Sequence, residues 1–119
     1  MTHTASGFTI YHNPRCSKSR RALALLEAAG ERPEVVEYLK TPPTRAEPKA
    51  LLKKLALRPA QIVRTGEVLY KEKYQGRDLS DEQWLDALVE NPVLMERPIV
   101  VKGERAIDGR PPEQVLEIL

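Results

Sequence analysis

The chain has one cysteine, Cys16, which lies where a short apolar stretch gives way to a helical pattern. A thiol at the start of a helix faces unpaired backbone N–H groups and the positive end of the helix dipole. Both favour the thiolate, which is the nucleophilic form of cysteine. The surrounding segment, YHNPRCSKSR, adds a histidine and several basic side chains. Because such a helix start also binds oxyanions, the segment combines a candidate nucleophile with a candidate anion site.

Cys16 could instead be a structural cysteine, because free cysteines are often buried as small hydrophobic residues. Its neighbours argue against that role: polar and basic residues surround it, and the first strongly apolar residue after it is Leu23. We therefore interpret Cys16 as reactive. A single cysteine excludes an internal disulfide and a cysteine-rich zinc site, and we expect no bound metal. A second thiol, if the chemistry needs one, must come from another molecule.

Two residues of the same segment are candidates for supporting the cysteine. His12 lies four residues before Cys16 and either hydrogen-bonds the thiolate or fixes the backbone of the turn. Arg20 lies one helical turn after Cys16 and brings positive charge, which favours an ionised thiol.

Outside this loop, Arg64, Arg97 and Arg110 are candidates for binding an oxyanion. The planar guanidinium group donates paired hydrogen bonds to such anions. Arg97 and Arg110 each precede a proline, which predicts extended backbone at the edge of an element. Any one of these arginines could equally be a solvated surface residue.

The elements that would position these residues follow from hydrophobic periodicity and from capping and turn signals. Strands are predicted over residues 8–11, 35–39, 98–101 and 105–107. Helices are predicted after Cys16 as far as Gly30, after a Thr44/Glu47 capping box, from Pro59 to Gly66, after a Ser80/Gln83 capping box, and from Pro111 onward. A break is predicted at 41–43, and the last two strands should form a hairpin.

This order predicts an α/β protein with a four-stranded mixed sheet, in which the first two strands are parallel. It is the order of a thioredoxin-like fold with a helical insertion, at about 44–91, between the βαβ and ββα halves. We expect residues 1–7 to form a short disordered tail and residues 8–119 to form a single domain.

The composition argues against a nucleic-acid-binding, membrane-spanning or secreted protein. Hydrophobic residues make up 41% and charged residues 30% of the chain, an ordinary soluble composition. With 19 basic and 17 acidic residues, the net charge of +2 does not indicate a nucleic-acid partner. No apolar run approaches the ~20 residues that span a bilayer, and the N-terminus lacks a signal-peptide pattern. We therefore expect a cytoplasmic protein without a membrane partner, acting as a monomer.

The chain resembles the glutaredoxin-coupled arsenate reductase family, and is closest to its shorter chromosomal branch. The resemblance runs from Thr9 to Leu119. It is carried by the loop YHNPRCSKSR, with its His-x3-Cys-x3-Arg spacing, and by EYLKTPP, RPIVV and GRPPEQVLEIL. It implies a thioredoxin-like fold with a helical insertion and a cis Arg97–Pro98 bond.

The resemblance also implies an activity and the residues that perform it. Cys16 would attack arsenate and form a covalent cysteine–arsenate intermediate, and Arg64, Arg97 and Arg110 would hold the oxyanion. Glutathione would be the co-substrate, and glutaredoxin would regenerate the thiol. No bound cofactor would be needed. Arg64 matches through IVRTGE, a less distinctive stretch than those of the other two arginines.

Other functions are compatible with parts of the pattern. A glutathione-linked thiol protein of the same fold, without arsenate turnover, would need most of the same residues. A redox-sensing transcription regulator of this fold would carry a Cys-x-x-Cys pair, but Ser19 occupies the second position. A phosphatase-like Cys-x5-Arg loop would require arginine at position 22, which is Ala22. Arsenate reductase is the function that the sequence favours.

Overall fold

A computed structural model describes residues 7–40 and 44–119, in which a run of helices separates the first two strands from the last two. The strands are β1 (Phe8–Tyr11), β2 (Glu34–Val36), β3 (Ile99–Lys102) and β4 (Arg105–Asp108). The α-helices are α1 (Ser17–Ala28), α2 (Ala46–Leu55), α3 (Val68–Lys73) and α4 (Asp81–Glu90), and 3₁₀ helices span Pro59–Ile62, Pro92–Leu94 and Pro112–Ile118. Except for Gly7, the predicted tail at 1–7 and the predicted break at 41–43 lie outside the described residues.

Two compact units make up the described chain. The sheet unit contains residues 7–40 and 97–119, and the helical unit contains residues 44–96. The helical unit contains the predicted insertion. In the described ranges, no helix is long and apolar enough to cross a membrane.

The sheet has the strand order β2-β1-β3-β4. β1 pairs with β2 in parallel and with β3 antiparallel, and β3 forms a hairpin with β4. The two strands central to the sheet thus come from opposite ends of the chain. This arrangement confirms the predicted four-stranded mixed sheet and the thioredoxin-like fold.

The strand boundaries differ from the predicted ones for identifiable reasons. β2 ends at Val36 rather than at residue 39, because the chain turns and Lys40 N–H donates to the Glu37 carbonyl at 2.9 Å. β3 begins one residue later than predicted, after Pro98, which has no N–H to donate to the ladder. β4 continues to Asp108, which pairs with the first residue of β3.

One of the two predicted capping boxes is present in full. Ser80 and Gln83 each accept a backbone N–H from the other residue at the start of α4. At α2 the prediction was wrong, because Arg45 occupies the N-cap and the Glu47 N–H donates to the backbone carbonyl of Thr44 at 3.1 Å. Only the reverse contact forms, from Thr44 N–H to the Glu47 carboxylate at 3.4 Å.

Several helical segments differ from the sequence prediction. The segment from Pro59 is a single 3₁₀ turn that ends at Ile62, not a helix that reaches Gly66. α3 and the 3₁₀ turn Pro92–Leu94 were not predicted. α3 has no buried residue, so hydrophobic periodicity gave no signal for it. The last predicted helix is present as a 3₁₀ helix.

The core of the sheet unit joins both ends of the described chain. Side chains from β1, α1, β3 and the Pro112–Ile118 helix bury one another: Phe8, Ile10, Ala22, Leu26, Val100, Val115 and Ile118. Burial of apolar surface at roughly 25 cal/mol per Å² is the main force that holds these elements together. This core fixes the first residue of α1, and therefore Cys16, relative to β3.

The helical unit has its own core and an aromatic cluster. Trp84 on α4 stacks on Tyr70 and contacts Tyr74 at a tilt, with ring centroids 6.2 and 5.7 Å away. Arg45 pairs with Glu82 and Asp86 and so joins the start of α2 to α4. These contacts explain why the insertion packs as a unit.

Candidate active site

The loop between β1 and α1 is closed by its own backbone. Cys16 N–H donates to the Asn13 carbonyl at 3.0 Å, and Arg15 N–H donates to Asn13 Oδ1 at 3.0 Å. The Asn13-Pro14 pair therefore forms the turn that its residue types predict. The turn places Cys16 at the N-cap of α1 in extended backbone, as the sequence predicts.

Ser19 fastens this loop to the first turn of α1. Its hydroxyl accepts the Asn13 N–H at 3.1 Å and lies 2.6 Å from Nδ1 of His12. The Ser19 side chain is completely buried, and His12 is 5% exposed. Sequence reasoning considered Ser19 only as the missing second cysteine and did not foresee this role. The sequence does place a serine in the first turn of the predicted helix and a histidine at the end of the preceding strand, and this pair could have suggested the contact.

The surroundings of His12 favour the neutral form of its imidazole. Burial lowers the pKa of His12 below its ordinary value, the nearby Glu37 carboxylate raises it, and Arg20 lowers it further, with a net lowering. Because the Ser19 hydroxyl accepts from Asn13, its own hydrogen can be donated to Nδ1 of the neutral ring. These contacts correspond to the second role considered for His12, fixing the turn.

The thiol of Cys16 is more acidic than an ordinary cysteine thiol. Burial raises the pKa of Cys16, but hydrogen bonding from the backbone N–H groups of Ser19 and Lys18 and from the Arg97 side chain lowers it. The positive charge of Arg97 lowers the pKa further, and the net shift is downward. Cys16 is only partly buried, so its thiolate remains accessible to a substrate. The arrangement is that of an activated nucleophile beside an anion-binding helix start.

Arg97 belongs to the sheet unit, like Cys16, and is 7% exposed. The Arg97–Pro98 peptide bond is cis, as the resemblance implies, and the Arg110–Pro111 bond is also cis. Arg110 Nε donates to the carbonyl oxygen of Arg97 at 3.0 Å. Two of the three predicted oxyanion arginines are thus in direct contact.

Arg20, predicted to support the cysteine, and Arg64, the third predicted oxyanion arginine, have different surroundings. Arg20 donates to the Pro14 carbonyl at 2.9 Å and so braces the loop across its turn. Arg64 belongs to the helical unit, where its backbone N–H donates to Leu94. Its guanidinium lies 3.2 Å from the Glu67 carboxylate and 4.0 Å from that of Glu96. The charge of Arg64 is therefore largely balanced by its own neighbours.

A cavity of about 240 Å³ borders the loop on the side of β2. Its lining includes the loop residues from His12 to Arg15 and, after β2, Glu37, Leu39 and Lys40. Lys40 and Glu37 form an ion pair at 3.2 Å. No group of histidine, cysteine and carboxylate side chains suited to a metal occurs within residues 7–40 and 44–119.

The sheet and the position of its cysteine define a class: thioredoxin-like proteins with a single cysteine in the loop that follows the first strand. Within that class, residues 11–118 match the model of the ArsC family. The chain therefore belongs to the ArsC family, as its sequence resemblance indicated.

Named relatives cover nearly the whole chain. Uncharacterized protein YfgD of Escherichia coli is 54% identical over 112 residues, which span 92% of this chain and 94% of the relative. An arsenate reductase of Haemophilus influenzae is 46% identical over 112 residues, with 92% and 97% covered. The solved structure of an arsenate reductase from Vibrio cholerae superposes with a TM-score of 0.90 at 52% identity, covering 94% of this chain and 97% of that one.

Proposed function

We propose that the protein is an arsenate reductase that uses Cys16 as its nucleophile. The observation that carries the proposal is the position of Cys16 at the N-cap of α1, where the first helical turn and Arg97 lower the pKa of its thiol. A thiolate beside a guanidinium and a helix start suits a tetrahedral oxyanion. Relatives that span almost the whole chain are named arsenate reductases, which supports arsenate as the substrate.

In the proposed reaction, the Cys16 thiolate attacks arsenic(V), and an arsenate oxygen leaves as water after protonation. Arg97 and Arg110 balance the negative charge of the bound oxyanion. Glutathione then attacks the Cys16 sulfur, and the electron pair of the broken sulfur–arsenic bond passes to arsenic. Arsenite leaves, and a disulfide joins Cys16 to glutathione. Glutaredoxin takes over the glutathionyl group by thiol–disulfide exchange and restores the thiolate.

The supporting residues act on the loop in this proposal. His12 fixes the turn through Ser19, and Arg20 does so through the Pro14 carbonyl. The resemblance assigns Arg64 a further contact to the oxyanion, and that assignment stays a prediction.

A second function is favoured by the surroundings of Arg64. Its ion pairs with Glu67 and Glu96 balance the positive charge of Arg64, which would otherwise be available to bind an oxyanion. The remaining features would serve a thiol protein that accepts glutathione on Cys16 without reducing arsenate. Under this alternative the disulfide between Cys16 and glutathione forms, but no arsenic chemistry precedes it.

A coupled assay separates the two functions. Arsenate, glutathione, glutaredoxin, glutathione reductase and NADPH are mixed with the wild-type protein or with Cys16→Ser, and phosphate replaces arsenate in the control. We expect arsenate-dependent NADPH oxidation that the substitution abolishes. Retained activity in Cys16→Ser would remove the nucleophile from the mechanism. Absence of turnover in the wild type, with a glutathione adduct on Cys16 in the mass spectrum, would establish the alternative function.

A further inference from the structure

The segment after β4 lies directly against the peptide that carries Arg97. Gly109 N–H donates to the carbonyl oxygen of Pro98 at 2.9 Å, and Arg110 Nε donates to the carbonyl oxygen of Arg97 at 3.0 Å. Two successive residues of one segment thus bind two successive carbonyl groups of the other. Both segments belong to the sheet unit.

Gly109 allows this approach because it has no side chain. A Cβ atom at this position would lie 2.6 Å from Cγ and 3.3 Å from Cδ of Pro98, and 3.0 Å from Cγ1 of Val115. Carbon atoms in contact are normally about 3.5–4.0 Å apart. Neither neighbour is the far end of a flexible chain: Pro98 is a ring, and Val115 is buried in the core. A methyl group here must therefore displace Pro98 or the segment itself.

We propose that Gly109 and Arg110 are positioning residues that hold the Arg97–Pro98 peptide in the place from which the Arg97 guanidinium reaches Cys16. The inference rests on the reactive cysteine of the proposed function, but it does not depend on which substrate Cys16 attacks. It adds a structural role to Arg110, whose side chain fixes another arginine as well as being a candidate ligand. It also gives the glycine of the GRPP sequence a function.

The experiment measures the second-order rate of Cys16 alkylation by iodoacetamide as a function of pH, which reports the pKa of the thiol. Cys16 is the only cysteine, so the label is unambiguous. In Gly109→Ala we expect a raised pKa of Cys16 and an alkylation rate at pH 7 that falls about threefold or more. The matched control is Gly66→Ala, because a Cβ atom at Gly66 meets nothing within 4 Å.

Arg110→Lys provides an independent variant, because it keeps the positive charge and removes the Nε–H that binds the Arg97 carbonyl. We expect it to raise the pKa of Cys16 as well; an arginine that served only as an oxyanion ligand would leave that pKa unchanged. Circular dichroism and thermal melting identify which variants are folded. An unchanged pKa in folded Gly109→Ala overturns the proposal, and if that variant does not fold, an unchanged pKa in Arg110→Lys does so. If the wild-type protein did not turn over arsenate, the proposed function would be refuted, but the positioning role of Gly109 and Arg110 would not.

Discussion

Cys16 owes its acidity to two kinds of donor that the chain brings to it from distant positions. The backbone N–H groups of the first turn of α1 come from its own sequence neighbours, whereas Arg97 lies on the segment that leads into β3. Burial opposes both groups of donors, because it raises the pKa of the Cys16 thiol. The first turn of α1 contributes more to the lowered pKa than Arg97 does, and Arg97 is the contribution that depends on how a distant segment is placed.

At this scale we predict that Arg97→Gln raises the pKa of Cys16 and slows its alkylation at pH 7 about three- to tenfold, because one hydrogen-bond donor and one positive charge are lost. The measurement is the pH profile of iodoacetamide labelling. Arg105→Gln is the control, since Arg105 is exposed on β4 of the same unit. Equal effects of the two substitutions would mean that general surface charge, not Arg97, sets the pKa.

Single residues also show where sequence reasoning reached its limit. Cys16, the turn before it and the cis Arg97–Pro98 bond were predicted from local pattern or family resemblance, and the structure agrees. The roles of Ser19 and Gly109 were not predicted, because they depend on which side chain or ring a distant segment brings within contact. A single sequence does not show which distant residues come into contact.

Among the elements, α4 has the most explicit start signal in the chain. Its N-cap serine and its third residue each accept a backbone N–H of the other, whereas α2 starts at Ala46 and its N-cap residue, Arg45, makes no side-chain capping hydrogen bond. The Thr44-x-x-Glu47 and Ser80-x-x-Gln83 patterns look alike in sequence. They differ because helical geometry at α2 begins one residue later than the pattern predicts.

We therefore predict that Ser80→Ala lowers the free energy of unfolding by about 1 kcal/mol, because the N–H of Gln83 loses its acceptor. Thr44→Ala should change it by less than about 0.5 kcal/mol, since no capping hydrogen bond of the threonine side chain is lost. Urea denaturation followed by circular dichroism measures both values. A cost for Thr44→Ala that matched the cost for Ser80→Ala would show that the threonine caps α2 in solution.

The order and pairing of the strands were predictable, whereas element boundaries, α3 and the short turns were not. The four strands and their connections follow from alternating apolar stretches and turn residues, and these signals are local. β2 ends early because the chain turns at Glu37; the last bond between the two segments runs from the His12 N–H to the Val36 carbonyl. α3 buries no residue, so its sequence carries no periodic signal.

For the whole molecule, the free energy of unfolding depends on pH through His12. Its pKa is lowered in the folded state, so below the ordinary histidine pKa of about 6.5 the unfolded chain binds a proton that the folded chain does not. Stability rises with pH wherever the unfolded state binds more protons. The contribution of His12 is therefore fully present above about pH 6.5 and is lost as the pH falls toward its folded-state pKa.

We predict that the wild-type protein loses free energy of unfolding between about pH 7.5 and 5.5, and that His12→Gln loses less over the same interval. Carboxylates remain largely ionised in this range, so the pH dependence that His12 contributes can be told apart from theirs. His3→Gln is the control, because the chain has just these two histidines. A variant at His12 whose pH dependence matched the wild type would contradict a lowered pKa for that residue.

The contacts of Ser19 have a consequence for how this loop could evolve. A change of Ser19 to cysteine would create a Cys-x-x-Cys pair, but the larger sulfur is a weak hydrogen-bond acceptor in a fully buried position that binds both Asn13 and His12. A single Ser19→Cys substitution would therefore weaken the hydrogen bonds that fix the backbone of the turn while it introduced a second thiol. Under the proposed function, the second thiol would still come from another molecule.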